Sequence, residues 1–278
     1  MNLLSFSRQL AEHVNNALRK ATADLDTDFR SGKDKLKVDE IAYRAIVPVL
    51  KANEFNYYIE SFESENHDYP INCYIDPVDG SSNFHRFVGE PGFVIAFSHQ
   101  KPSIEFKDLF FAFAYSFRTG DFYYSTDGSS YYFNAYLSTT TKIITSKTAK
   151  LSNALGYIRL GYGGAELQLK RYGSVLKSLK DFRAFDNTAI EMGEIARGSA
   201  DLMIEARGLS DFYNLLTYPL LRNAGGVVTD LNFEPIDNRP IEPKNNYDFI
   251  ACANKELLIE IYCHPVFQFI KLSCLRKI

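Results

Sequence analysis

The chain contains no tryptophan and only four cysteines in 278 residues. Cys73, Cys252, Cys263 and Cys274 form no C-x-x-C pair, so the common thiol motifs for zinc or redox work are excluded. Cys73 and Cys252 lie in apolar, strand-like runs, the usual setting of a buried free thiol. No Asn-x-Ser/Thr sequon occurs. No apolar run approaches the roughly 20 residues that span a bilayer. The opening residues, Met1 to Arg8, lack the apolar core of a secretory signal. Positive charge is not in excess. Thirty-one Lys and Arg face 34 Asp and Glu, a net charge of −3, which argues against a nucleic-acid surface. These absences lead us to expect a soluble protein of a reducing cytoplasm, with neither nucleic acid nor membrane as partner. What is present is ordinary for a globular chain: 46% hydrophobic and 23% charged residues, with the aromatic content carried by 18 Tyr and 22 Phe. The length admits one or two domains at roughly 100–200 residues each.

Periodicity divides the chain into two halves. Leu3 to about Leu25 carries apolar residues at helical spacing (Leu4, Leu10, Val14, Leu18), and a second helical pattern runs from Val38 to Ala52. A polar break over residues 30–37 separates them. Phe55 to Glu60 and Ile71 to Ile75 read as strands. Phe93 to Asn134, rich in Phe, Tyr, Val and Ile and cut by turn signals, reads as successive antiparallel strands. Beyond about Lys147 strand and helix alternate: strands at 155–160, 202–205, 226–229 and 249–253, helices at 166–180, 188–196, 211–223 and 255–262. The pattern predicts an α/β or α+β chain in two subdomains, 1–145 and 146–278, with the boundary near the Ser138 to Thr141 run.

The densest chemistry lies in Cys73-Tyr74-Ile75-Asp76-Pro77-Val78-Asp79-Gly80-Ser81-Ser82-Asn83-Phe84. Two acids flank a proline directly after an apolar strand. Proline fixes φ and is expected to end the strand ladder, turning both carboxylates toward one point. Facing carboxylates in a partly dry site repel, so such a pair calls for a cation, and hard oxygen ligands suit Mg²⁺. Gly80 and Ser81 add backbone N–H donors of the kind that hold phosphate oxygens. A plain Asp-Pro turn is the competing explanation. Gly161-Tyr162-Gly163-Gly164 also follows a strand and opens a helix, but it lacks the third glycine of a dinucleotide loop and reads as a strand–helix turn.

Asp76 to Phe84 resembles the D-P-[IVL]-D-G-[TS]-x-N-F signature of the inositol monophosphatase family, whose wider superfamily includes fructose-1,6-bisphosphatases and 3′-phosphoadenosine 5′-phosphate phosphatases. The resemblance extends from about Asp39 to Gly226. It implies a layered α-β-α-β-α sandwich, Mg²⁺-dependent hydrolysis of a small polyol or sugar phosphate such as inositol-1-phosphate or fructose-1,6-bisphosphate, and a homodimer. It implies the following roles. Glu60, Asp76 and the Val78 carbonyl hold one Mg²⁺, and Asp76, Asp79 and Asp211 a second. Ser81, oriented by Asp39, acts with Glu60 to position the attacking water. Asp79 and the N–H groups of Gly80 and Ser81 face the phosphate. Glu205 binds a substrate hydroxyl, and Arg207 reaches a phosphate. Glu63 and Glu65 rival Glu60 if the register slips, though Glu60 directly ends an apolar strand, and two further assignments have ordinary alternatives. Asp39 sits near an expected helix start, where an acid complements the macrodipole, and Asp211 suits a helix N-cap.

The chain also departs from the family pattern. Ser61 replaces the second Glu of the usual pair, Asp186 a glycine, and Ser210 the aromatic before Asp211, while Phe212 and Tyr213 stand where small residues are usual. A carboxylate at Asp186 either adds negative charge near an anionic substrate or caps the helix that follows, and capping is the expectation. These departures support one alternative from another class, a non-catalytic descendant that binds metal or sugar phosphate in a regulatory or scaffolding role.

Overall fold

A computed structural model describes residues 1–22, 33–62, 64–159, 165–208, 211–242 and 245–265. Helices α1 (Leu3–Thr22) and α2 (Lys33–Ala52) come first. A seven-stranded sheet follows, made of β1 (Asn56–Ile59), β2 (Ile71–Asp79), β3 (Gly92–His99), β4 (Leu109–Ser116), β5 (Phe122–Thr126), β6 (Ser129–Asn134) and β7 (Thr139–Ile143) in chain order. Only the β1–β2 pair is parallel. The short helix α3 (Ser81–Arg86) leaves the end of β2. The second half supplies β8 (Leu155–Ile158), α4 (Ala165–Ser178), β9 (Asp181–Arg183), α5 (Thr188–Ala196), β10 (Leu202–Glu205), α6 (Tyr218–Asn223), β11 (Val227–Thr229), β12 (Phe249–Cys252) and α7 (Lys255–Cys263). Its sheet runs β11-β12-β10-β8-β9, mixed in direction.

Strand alternation sorts the side chains into layers, because neighbouring residues face opposite sides of a sheet. Cys73, Ile75, Ile95, Phe97 and Phe113 turn to one face and pack against Leu10, Val14 and Leu18 of α1 and Ala42, Ile46 and Leu50 of α2. Tyr74, Val94, Ala96, Ala112 and Ala114 turn to the other face. There they meet Ala189, Ile190 and Met192 of α5, Leu220 and Leu221 of α6, and Met203, Phe249 and Ala251 of the second sheet. The far face of that sheet, Leu202, Ile204, Ile250 and Cys252, packs on Tyr172 and Val175 of α4 and Leu257 and Ile261 of α7. The layers are therefore α-β-α-β-α, an α+β arrangement. Among the described residues no helix is long and apolar enough to cross a membrane.

Several local expectations need correction. The second helix begins at Lys33, not Val38. The sequence from Lys33 to Lys37 is mostly charged, so apolar periodicity shows only later. Asp39 therefore lies inside the helix, beyond the first turn where the macrodipole acts. The expected extension of the first helix to Leu25 and the Gly161–Gly164 turn lie outside the described residues. Residues 211–223 are not one helix. A 3₁₀ turn, Phe212–Leu215, comes first, and α6 starts afresh with Pro219 in its opening turn, where a missing N–H costs nothing. The Ser138 to Thr141 run, near which the subdomain boundary was expected, ends the first sheet. Its threonines form the exposed edge strand β7, and residues 144–154 carry the chain to the second sheet.

Candidate active site at the end of the first sheet

The pairing of β1 with β2 builds the first part of the site. The strands are parallel, with Asn56 opposite Asn72 and Ile59 opposite Ile75. The register offset of sixteen residues is the spacing of Glu60 from Asp76, so the two acids leave the sheet side by side. Glu60 N–H donates to the Ile75 carbonyl at 2.9 Å, which fixes the pair.

Pro77 does not end the ladder, as the sequence had suggested. It sits in a β-bulge. Asp76 pairs with Val94 and Asp79 with Gly92, so Pro77 and Val78 together face the single residue Phe93. Without the extra residue, Asp76 and Asp79 would point to opposite faces, because three positions is an odd step. With it, both acids take the same side. The Val78 N–H donates to Asp76 Oδ1 at 3.0 Å and holds that carboxylate over the bulge.

Gly80 then turns the chain with φ 76°, in the left-handed region, and α3 begins. A β-carbon here would stand 3.1 Å from the Asp186 carbonyl oxygen, so both conformation and space require glycine. No side chain caps α3. The first N–H groups of this turn, including that of Ser81, are orphan donors of the kind that meet an anion. Ser81 itself is buried.

Asp211 arrives from the second half. Its carboxylate accepts from Tyr213 N–H at 2.9 Å and from the Asn214 amide at 3.1 Å, so it does cap the 3₁₀ turn. It also lies near enough to the other acids to act on them electrostatically. The Glu60 carboxyl is raised to about 7, first by burial and then by Asp211, with Asp79 and Asp39 adding to the push. Asp79 is raised to about 6, chiefly by removal from water, although the Ala189 N–H donates to its Oδ2 at 2.7 Å and Arg159 opposes the shift. Asp76 is driven well above the usual carboxylate range by burial and by Glu60 and Asp79. The structure thus gathers Glu60, Asp76, Asp79 and Asp211 into one repelling group, with Asp39 at its margin on α2.

Among the described residues no three His, Cys, Asp or Glu side chains converge closely enough to hold a metal ion as they stand. The donor set nevertheless fits one in kind. It is all carboxylate and carbonyl oxygen, it is partly removed from water, and its mutual repulsion is what a hard divalent cation relieves. A cleft of about 830 Å³ opens beside Glu60 and Asp211. Its walls include Tyr58 stacked on Tyr74, with ring centroids 4.9 Å apart, and Phe212 stacked on Tyr213 at 4.1 Å.

Glu205 and Arg207 are brought together, but with each other. Arg207 Nε and Nη2 reach the two Glu205 carboxylate oxygens at 2.8 and 2.6 Å, and both side chains are almost fully buried. Asp186 is not the helix cap. That role belongs to Asn187, whose Oδ1 accepts from Ile190 N–H at 3.1 Å while its amide donates to the Asp79 and Glu90 carbonyls. Asn187 thereby fastens α5 to the turn after β2.

Sequence reasoning missed Arg159, Thr188, Glu191 and Asn214. Arg159 Nη2 donates to Thr188 Oγ1 at 2.8 Å, Thr188 Oγ1 donates to Asn214 Oδ1 at 2.8 Å, and the Asn214 amide holds Asp211. Arg159 also pairs with Glu191 at 2.7 Å. The available signal was a lone arginine ending the apolar strand β8, the same placement that marked Glu60 on β1.

No family model matches the chain. Comparison with individual proteins does find relatives. A fructose-1,6-bisphosphatase/inositol-1-monophosphatase of Methanothermobacter thermautotrophicus is 26% identical over 266 residues, 90% of this chain and 91% of that protein. A protein of the same name from Archaeoglobus fulgidus is 26% identical over 263 residues, 91% of this chain and 94% of its own. Among solved structures, the IMPase of Thermotoga maritima superposes with a TM-score of 0.73 at 19% identity, over 98% of this chain and 99% of that one. The chain is a distant homologue of these archaeal proteins and has the inositol monophosphatase fold. Inositol monophosphatase II of Staphylococcus aureus shares that fold at a TM-score of 0.74 and 16% identity, over 98% of this chain and 97% of its own.

Proposed function

We propose that the chain is a Mg²⁺-dependent phosphate monoester hydrolase acting on a small polyol or sugar phosphate, with inositol-1-phosphate and fructose-1,6-bisphosphate as the leading substrates. The observation that carries this reading is the β1–β2 register together with the Pro77 bulge, which sets Glu60, Asp76 and Asp79 on one side of one strand end. The names of the archaeal relatives support the substrate class. Glu60, Asp76 and the Val78 carbonyl would hold one ion, and Asp76, Asp79 and Asp211 another. Bound magnesium would supply the Lewis acidity that activates water and neutralises the leaving alkoxide.

The chain's own residues do the rest. The N–H groups of Gly80 and Ser81 bind phosphate oxygens and stay fixed because φ at Gly80 is fixed. The Glu60 carboxylate, beside Asp76, accepts a proton from the attacking water, and the Ser81 hydroxyl, oriented by Asp39, aligns that water. Glu205 and Arg207 are locked to each other, and Arg207 also reaches Asp186 at the turn before α5. The free thiols Cys73, Cys252 and Cys263 are consistent with a reducing, cytoplasmic setting. We also propose a homodimer. Exposed Tyr136, Leu137 and Ile144 near β7 offer one apolar surface for it.

The test is phosphate release with Mg²⁺ from inositol-1-phosphate, fructose-1,6-bisphosphate and 3′-phosphoadenosine 5′-phosphate. Turnover of either of the first two supports the reading. No release from any of the three would favour the non-catalytic role.

A further inference from the structure

Asp186 occupies a place that the family pattern gives to glycine, and it keeps a glycine-like backbone, with φ 61°. A non-glycine residue in this region is uncommon and points to a constraint worth explaining. Its side chain supplies one. Asp186 Oδ1 stands 3.2 Å from Arg159 Nη1 and 3.2 Å from Arg207 Nη1. Two guanidinium groups from different elements, with side chains only 2% and 4% exposed, converge on a single oxygen. Such convergence is how arginines recognise a carboxylate or phosphate oxygen. Each arginine also has a buried partner, Glu191 for Arg159 and Glu205 for Arg207. Asp186 differs from those two in being 38% exposed.

The location is next to the cradle. The Asp186 carbonyl lies 3.1 Å from where a β-carbon of Gly80 would be, and 3.5 Å from the Asn83 amide of α3. The Asp186 backbone therefore borders the turn that would hold the scissile phosphate, while its carboxylate, on the same residue, lies between the two arginines.

We propose that Asp186 is a specificity-determining residue: its carboxylate fills a two-arginine anion site beside the Gly80 turn and so favours phosphate esters whose leaving group is uncharged over those whose leaving group carries a second anion. The claim rests on the phosphatase reading and deepens it. A second phosphate or carboxylate on the leaving group meets a fixed negative charge where two guanidinium groups would otherwise receive it. Inositol-1-phosphate fits this rule and fructose-1,6-bisphosphate does not.

The experiment uses the full chain with Asp186→Asn and Asp186→Gly. Both residues accept positive φ, so the backbone is kept. Thermal unfolding establishes that each variant folds. Binding of inorganic phosphate is titrated calorimetrically in EDTA, and kcat/KM is measured with Mg²⁺ for inositol-1-phosphate and fructose-1,6-bisphosphate. Both variants should bind inorganic phosphate about tenfold more tightly than the parent, since one nearby repelling charge is removed. The ratio of kcat/KM for the bisphosphate over the monophosphate should rise by about the same factor, through KM. Unchanged phosphate affinity in both variants overturns the anion site. Tighter phosphate binding with an unchanged substrate ratio overturns the specificity role. If both variants fail to fold, Asp186 is a structural counter-ion and the proposal falls. A parent inactive on both esters, with the phosphate gain intact in the variants, would sink the phosphatase reading while leaving the arginine site standing.

Discussion

Glu60 and Asp76 lie side by side because β1 and β2 run parallel with a sixteen-residue offset, and the Glu60 amide bonds to the residue before Asp76. The consequence is electrostatic. Burial and Asp211 raise Glu60, with Asp79 adding to the push, while Asp76 is raised by burial and then by Glu60, Asp79 and Asp211. A site built this way is destabilising without a cation and gains stability with one.

Metal should therefore act on stability as well as on turnover. Adding Mg²⁺ to chelated protein is expected to raise the unfolding midpoint, and an ion at a hundred times its dissociation constant contributes about 2.7 kcal/mol. EDTA should abolish phosphate release. A midpoint indifferent to Mg²⁺ together with full turnover in EDTA would exclude the metal site.

Asp76→Asn and Asp79→Asn test the same repulsion from the protein side. Either change removes a ligand charge and keeps the shape. Turnover should fall by roughly 10²–10³, the scale seen when one transition-state stabilising group is lost. The midpoint in EDTA should hold or rise, because repulsion is relieved. Near-normal turnover for Asp76→Asn would remove it from the site.

What the sequence made legible was local. Asp76 to Phe84 is contiguous, and its acids, proline and glycine each carry their meaning within a few positions. Glu60 was legible for a related reason, since it directly ends an apolar strand. The Arg159–Asp186–Arg207 cluster was not, because its members come from three separate stretches and meet only through the β8–β10 pairing and the turn before α5. The bulge at Pro77 was misread because proline usually stops a ladder, and here β3 accommodates the extra residue at Phe93. The helix across 211–223 was misread because apolar periodicity continues through a break that Pro219 makes sharp.

Glu191 gives a pH prediction. Its carboxyl is raised to about 8, first by burial, with Arg159 opposing the shift and Asp79 and Asp186 adding to it. The folded chain thus binds this proton more tightly than the unfolded chain does. That contribution to stability is complete below about pH 4.5 and is lost as pH rises through about 8. Stability in EDTA should fall as pH climbs across this window. The site carboxylates share the direction, so Glu191→Gln should flatten only part of the fall. Glutamine still accepts from the Phe185 N–H and cannot ionise. Parallel stability curves for parent and variant would show that Glu191 is charged throughout.

Asp211 has one role that the structure shows, a cap, and a second, as metal ligand, that is proposed. Its carboxylate caps the 3₁₀ turn through Tyr213 N–H and is steadied by the Asn214 amide. Asparagine is as good a cap as aspartate. Asp211→Asn should therefore leave the midpoint in EDTA within about 0.5 kcal/mol of the parent, the range of a neutral substitution. If Asp211 also completes a metal site, the same change should raise the Mg²⁺ concentration needed for half-maximal turnover and weaken Mg²⁺ binding by calorimetry. Asn214→Leu provides the second arm. It removes the amide that holds Asp211 and leaves every proposed ligand in place, so it should shift Mg²⁺ affinity in the same direction by a smaller factor. A metal titration of Asp211→Asn that overlays the parent's would return Asp211 to capping alone and shift the balance toward a non-catalytic role for the whole site.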